Sequence, residues 1–178
     1  MIQIGAPSAT IDSPIEHLAT CHPRIEQRLD TLVNAARHLD FGRTRALLSI
    51  SKSFLFLDTS GVLHTQDEES SLFPRLRPRI SASENEFIDS LEAQHGEAEG
   101  IYAELKRLAA ALGVPGETSA LENEKYRACA ERLRAFYGAH IRSEDQILAP
   151  VAKRTLDDFE IAEISREMRG RRTSHGML

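Results

Sequence analysis

Four of the seven histidines in this chain are followed four residues later by a glutamate: His22 and Glu26, His64 and Glu68, His95 and Glu99, His140 and Glu144. An i, i+4 spacing puts both side chains on one helix face, about 6 Å apart along the axis. Imidazole nitrogens and carboxylate oxygens converging from several helices are how a bundle holds a pair of metal ions. Mixed nitrogen and oxygen ligation without thiolate suits iron or manganese, although ligand type alone excludes neither zinc nor copper. Four imidazoles and two carboxylates exceed the needs of one structural zinc, which four ligands close. Divided over two ions, they give each ion two histidines and an oxygen from each of two bridging carboxylates. A bridging oxide or hydroxide then brings each ion to about five ligands and leaves a position open for a small molecule.

Long helices must carry these residues. Breakers divide the 178 residues into a first helix from about Ser13 to Leu39, opened by Ser13-Pro14-Ile15-Glu16 as a capping box with proline at the first helical position. Pro23 is expected to kink or restart it near His22. A second helix spans about Arg43 to Arg75 and is expected to stop at Pro74 to Pro78. Ser83-Glu84-Asn85-Glu86 is expected to cap a third, ending at Leu112-Gly113. The fourth runs from about Glu117 to Lys153, bent at its end by Pro150, and a short fifth from about Asp157 to Arg169 carries Phe159, Ile161, Ile164 and Met168. No segment alternates as a strand would. The expected fold is all-α, an up-down-up-down four-helix bundle over about 13–153 with a short C-terminal fifth helix over about 157–169, the whole chain 1–178 forming one domain.

Antiparallel neighbours bring residues to one height when they are equidistant from the connecting turn. The midpoint of His22 and His64 is residue 43, beside Asp40-Phe41-Gly42. For His64 and His95 it lies between Arg79 and Ile80, just after Pro78, and for His95 and His140 between Glu117 and Thr118, just after Pro115-Gly116. All three fall at breakers, so the four imidazoles are expected in one layer. At about 100° per residue, His22 aligns with Ile25, Leu29, Leu32, Val33 and Ala36, whereas His17 falls on a flank. His95 aligns with Ile88, Leu91, Ala98, Tyr102 and Leu105, and His140 with Cys129, Leu133, Phe136 and Ile147. His64 shares a face with Ile50, Leu57 and Glu68. Four unpaired imidazoles in a core would be costly, which favours ligation. Glu68 and Glu144 are the expected bridges. Glu99 lies at the edge of its stripe and is carried as a further candidate ligand, and Glu26 reads as a solvated partner. His38 and His175 read as surface residues.

Composition narrows the function classes. A formal charge of −5 argues against nucleic acid as the main partner, and the basic tail Arg166, Arg169, Arg171, Arg172 reads as a solvated end. No apolar run reads as a membrane span, and Met1–Thr10 lacks the pattern of a signal peptide. Cys21 and Cys129 form no disulfide framework and read as small core residues, which makes a reducing cytoplasm the default.

These residues resemble the hemerythrin-like, or HHE cation-binding, domain family over nearly the whole chain. The resemblance is carried by Cys21-His22-Pro23-Arg24-Ile25-Glu26, His64-Thr65-Gln66-Asp67-Glu68-Glu69-Ser70-Ser71-Leu72-Phe73-Pro74, Gln94-His95 through Glu99, Ala139-His140-Ile141-Arg142-Ser143-Glu144 and Leu148-Ala149-Pro150. It implies two non-haem iron ions bridged by oxide or hydroxide, with Glu68 and Glu144 bridging, that bind dioxygen or another small diatomic ligand. It also supports His22 over His17. Oxygen-carrying members have a histidine four residues after the third-helix ligand, where this chain has Glu99. That difference weighs against simple oxygen storage. The resemblance leaves open a sensor of oxygen or iron, or an enzyme of peroxidase, ferroxidase or nitric oxide reductase type using Tyr102, Tyr126 or Tyr137.

Overall fold

A computed structural model describes residues 11–113 and 120–174. It is all-α, as expected. Helix α1 is Pro14–Ala36. Helix α2 is Arg43–Arg79, and α3 is Ala82–Leu112. Helix α4 covers 120–155 as Ala120–Ser143, Glu144–Leu148 and Ala149–Thr155. Helix α5 is Asp158–Ser174. The first four form the bundle: α1 packs against α2 and α4, and α3 against α4, while α2 packs less closely on α3. Helix α5 lies across α1 and the second half of α2.

The prolines behave differently from the expectation. Helix α1 runs unbroken through Pro23. Pro23 and Ala19 are both solvent-exposed, so water can satisfy the Ala19 carbonyl that has no proline N–H to bond. Helix α2 passes Pro74 and ends in a single 3₁₀ turn, Arg77–Arg79. It does so because the preceding turn, Glu68–Leu72, is a π-turn in which the Phe73 N–H donates to the Glu68 carbonyl five residues back. Helix α4 repeats the device: Glu144–Leu148 is a π-turn, the Ala149 N–H donates to the Glu144 carbonyl, and Pro150 follows. A proline ring collides with the carbonyl four residues before it, and a widened turn moves that carbonyl aside. A third π-turn, Leu57–Gly61, has no proline. There the Thr59 hydroxyl donates to the Leu55 carbonyl at 2.8 Å and competes with the backbone ladder.

Other boundaries also shift. The cap of α3 is Ser81, whose hydroxyl accepts from the Glu84 N–H while the Glu84 carboxylate accepts from the Ser81 N–H. The expected fifth helix is longer, and Arg171 and Arg172 lie inside it rather than in a solvated tail. By length and composition alone α2 is apolar enough to cross a membrane, a test that core helices of soluble proteins also pass. It is a bundle helix here, and its buried positions include His64, Asp67 and Glu68. Phe159 and Ile147, aligned with apolar stripes in sequence, are exposed.

The core divides in two. One apolar cluster contains Ile25 and Leu29 of α1, Ile50 and Leu57 of α2, Ile101 and Leu105 of α3, and Leu133 of α4. The other contains Ile15 and Leu18, Leu72 and Leu76, Ile88 and Leu91, and Leu148, with Ile164 and Met168 of α5. On every bundle helix the histidine lies at the boundary between the two clusters, in opposite chain directions on successive helices. The imidazoles therefore occupy one layer, as the turn-centred spacing requires.

Candidate metal centre

His22, His64, His140, Glu68 and Glu144 are buried, and His95 is nearly so. Their donor atoms converge in two groups. His22, His64, Glu68 and Glu144 form one, with one ligand atom from each lying within 4.8 Å of the others. His95, His140 and Glu144 form the second. Glu144 is shared: its Oε2 lies 3.2 Å from His22 Nε2 and its Oε1 2.8 Å from His140 Nε2. Glu68 also spans the layer, with Oε1 3.6 Å from His64 Nε2 and Oε2 3.5 Å from His95 Nε2. The structure does not bring Glu99 into either group; it is exposed on the wall of a neighbouring cleft. Glu26 faces Arg134 at 3.4 Å. His17 is half-buried, with Nε2 3.9 Å from Cys21 Sγ, outside both groups. His38 is exposed, and His175 lies outside the described residues.

Three residues that were not singled out in the sequence complete the arrangement. His22 Nδ1 lies 2.8 Å from Asp145 Oδ1, His95 Nδ1 2.7 Å from Glu69 Oε1, and His140 Nδ1 2.8 Å from Gln94 Oε1. An acceptor at Nδ1 fixes the proton there and turns the Nε2 lone pair toward the centre, as outer partners of metal-bound histidines do. The signal was present as acidic doublets: Glu68-Glu69 and Glu144-Asp145 each follow a histidine at the same spacing.

Without a cation this layer is unfavourable. The His95 and His140 Nε2 atoms, both acceptors in this tautomer, approach to 3.1 Å. His22 Nε2, Glu68 Oε2 and both carboxylate oxygens of Glu144 are buried with no hydrogen-bond partner. Burial drives His64 down to about 3. Burial and the adjacent Glu144 push Glu68 well above the usual carboxylate range. Burial would raise Glu144 too, but the adjacent His140 and His22 imidazoles hold it well below. Burial lowers His22, and Glu144 with Asp145 more than reverses that. Each buried ion costs several kcal/mol unless paired, roughly. Cations placed among these nitrogen and oxygen lone pairs would satisfy them together, so the residues present fit a metal centre.

A family model for the hemerythrin HHE cation binding domain matches residues 13–152. The chain belongs to that family. The match takes in the four bundle helices up to Ala152 and all the converging donors. A comparison with curated proteins gave no match. As a hemerythrin-like chain it carries a cation-binding domain, and its His/Glu layer has the donors to use it.

Two features surround the centre. A cleft of about 760 Å³ opens between α2 and α3 and reaches His64, His95, His140 and Glu144. On the other side, a pocket of about 20 Å³ borders His22, Glu68 and Asp145. Of the three tyrosines, Tyr126 is buried in the core beside Cys129 and Leu133, away from the layer. Tyr102 donates to Asp58 at 3.0 Å on the cleft wall. Tyr137 alone stands against a centre histidine, its ring 6.2 Å from that of His140. Burial, followed by the charges of Glu144 and Glu68, pushes its phenol up to about 12.

On the far side of α2, Asp67 is fully buried and receives Arg171 Nε at 2.8 Å and Arg172 Nη2 at 2.6 Å. Arg171 also donates to Ser71 at 2.6 Å, and Arg75 pairs with Glu167 at 2.8 Å. The basic end of the chain thus clamps the segment that carries Glu68. Both cysteines have their thiols pushed up by burial, in keeping with packing residues.

Proposed function

We propose that this hemerythrin-like domain holds two non-haem iron ions, bridged by oxide or hydroxide, and binds or senses dioxygen, a related diatomic ligand, or iron itself. The observation that carries this reading is the division of the donors into two groups that share Glu144. His22 and His64 would serve one ion, His95 and His140 the other, and Glu68 and Glu144 would bridge. Bound there, iron would supply reversible redox chemistry and an open coordination position. The protein's part is positioning. Asp145, Glu69 and Gln94 hold three imidazoles by their outer nitrogens, so the Nε2 lone pairs need not reorganise on binding. The apolar clusters cover the layer from above and below, and the cleft reaches it from the side. Glu99 is assigned to the cleft wall, one turn beyond His95.

A di-iron enzyme of peroxidase, ferroxidase or nitric oxide reductase type is the second reading. One observation favours it: the cleft is far larger than a diatomic ligand needs. The test is metal analysis with absorption spectroscopy of the anaerobically reduced protein before and after air. About two iron ions per chain and bands of a bridged di-iron(III) unit are expected, and His140→Ala should lose iron. Well under two ions in the wild type, or full iron in His140→Ala, would overturn the reading. A stable spectrum after air favours binding, and repeated rapid oxygen consumption favours the enzyme.

A further inference from the structure

The first half of α2 is apolar on the side that faces away from the bundle. Its buried positions there are Ala46, Ile50, Ser53 and Leu57. At about 100° per residue, Leu48 and Leu55 fall on the opposite side, and both are exposed, at 54% and 66%. Phe41, in the turn that leads into α2 and beside Arg45, is 94% exposed. Only 28% of the most apolar 18-residue stretch of α2 is buried, whereas a helix that is apolar for the sake of the core would be mostly buried. Leu48 and Leu55, seven residues apart, form an outward ridge about 10 Å long.

Cations flank this ridge. Arg45 and Lys52 are exposed on its α1 side, each about one turn from a ridge leucine. Across from them on α1, Arg24 and Arg28 place their guanidinium carbons 5.3 and 5.2 Å from the ring centre of Phe56. Stacking of this kind leaves the guanidinium N–H groups their donors. Most arginines of the chain meet a carboxylate, as Arg75, Arg77, Arg79 and Arg134 do. Arg24, Arg28, Arg45 and Lys52 meet none among the described residues. The acidic residues of α2's first half and its leading turn, Asp58 and Asp40, are held by Lys106 and Asn123. A chain of formal charge −5 thus gathers four unpaired cations around one apolar ridge.

We propose that this α1–α2 face docks on an anionic lipid surface, with Phe41, Leu48 and Leu55 entering the boundary between headgroups and acyl chains while Arg24, Arg28, Arg45 and Lys52 contact lipid phosphates. An apolar ridge with cationic flanks is how a protein lies on a membrane without crossing it. One weak signal gives only marginal attachment, and insertion together with charge holds. A second copy of the chain is a poorer occupant, because a two-fold contact through this face would bring its like charges together. A partner helix lays its apolar side into a groove, whereas these leucines project outward. The face carries none of the converging metal donors, so docking and metal binding fail or stand separately.

The test is sedimentation of the full, metal-loaded chain with vesicles of phosphatidylcholine alone or with about one-third phosphatidylserine. Binding to the anionic vesicles is expected, with little to the neutral ones and release as salt is raised. Arg45→Gln with Lys52→Gln should weaken binding about 25-fold, at roughly fivefold for each cation near the surface. Leu48→Ser with Leu55→Ser should weaken it about tenfold or more, since two apolar side chains no longer insert. Phe159→Ser, which removes an equally exposed aromatic ring from between Asp158 and Glu160 on α5, should leave binding unchanged. Melting temperature and metal per chain, read on every variant, should match the wild type, because all these positions are exposed. No binding to anionic vesicles, equal binding to neutral ones, or wild-type binding by both double variants overturns the proposal. Binding of poly-glutamate without binding of vesicles also overturns it, in favour of an acidic protein partner. A metal count below two in the wild type would overturn the di-iron reading and leave the docking result to stand by itself.

Discussion

Replacing Asp67 by asparagine keeps its shape and removes its charge, leaving two guanidinium groups without their anion. Asp67 is fully buried, and its partners Arg171 and Arg172 retain 20% and 13% of their side-chain exposure. Removing one partner of a buried ion pair costs roughly 3–5 kcal/mol. The lower end applies, because both arginines can reach water and Arg171 keeps its bond to Ser71. A loss of about 3 kcal/mol corresponds, for a domain of this size, to a melting shift of about 6–12 °C. Thermal unfolding followed by far-ultraviolet circular dichroism reads the shift, and limited proteolysis locates it, since α5 should be cut first. Arg166→Ala is the control on the same helix. Its partner Glu163 is a surface group three residues away, and screened pairs of that kind leave the melting point where it was. Asp67→Asn melting within about 2 °C of the wild type would refute the assignment of α5 as a clamp.

Two further outcomes follow from the centre. Asp145→Ala removes the acceptor at His22 Nδ1 and should weaken one ion of the pair by about 10–100-fold while the other stays bound, measured by chelator competition; equal weakening of both ions, or none, contradicts the placement. Loading should also release protons. Glu68 is pushed well above, and His22 above, the usual range in the metal-free protein, so each resists ionisation or deprotonation until a cation replaces its proton. Raised values mean that acid competes with the metal: apparent affinity falls as pH falls, by up to about tenfold per pH unit for each displaced proton. Calorimetry at pH 7 in buffers of different ionisation enthalpy should count about one proton or more per chain, and a count of zero would contradict the coupling.

Much of this centre could be read from spacing alone, because the histidines are equidistant from turns and turns are marked by glycine and proline. The common layer followed from that arithmetic, helix order from the breakers, and the preference for His22 over His17 from helical phase and the family resemblance. What escaped was whatever depends on contacts between distant segments. The arginines near the chain end read as a charged, solvated tail; they are helical because Asp67, more than a hundred residues earlier, is buried beneath them. Glu99 had the right spacing from His95, yet helical phase puts it on the cleft wall, at the edge of the stripe where periodicity could not decide. Ile147 and Phe159 misled because their own helix faces gave no sign of which neighbours would be absent.

The prolines join these two kinds of information. His64-x3-Glu68 is followed by Pro74 at the same distance as His140-x3-Glu144 is followed by Pro150. Read with ordinary helix rules, each proline should end or bend its helix; instead each follows a π-turn whose first residue is the glutamate of the centre. The Glu68 and Glu144 carbonyls accept from N–H groups five residues on, so each helix gains a residue in the turn just beyond the donor layer. That extra residue relieves the proline ring and lets the helix continue. It also sets the phase of the next segment, putting Leu72, Phe73 and Leu76 on α2, and Leu148 and Ala152 on α4, into the second apolar cluster. Neither glutamate could stay under that cluster if its helix stopped at the proline. The same short spacing therefore specifies both the donor and the fold of the chain immediately after it.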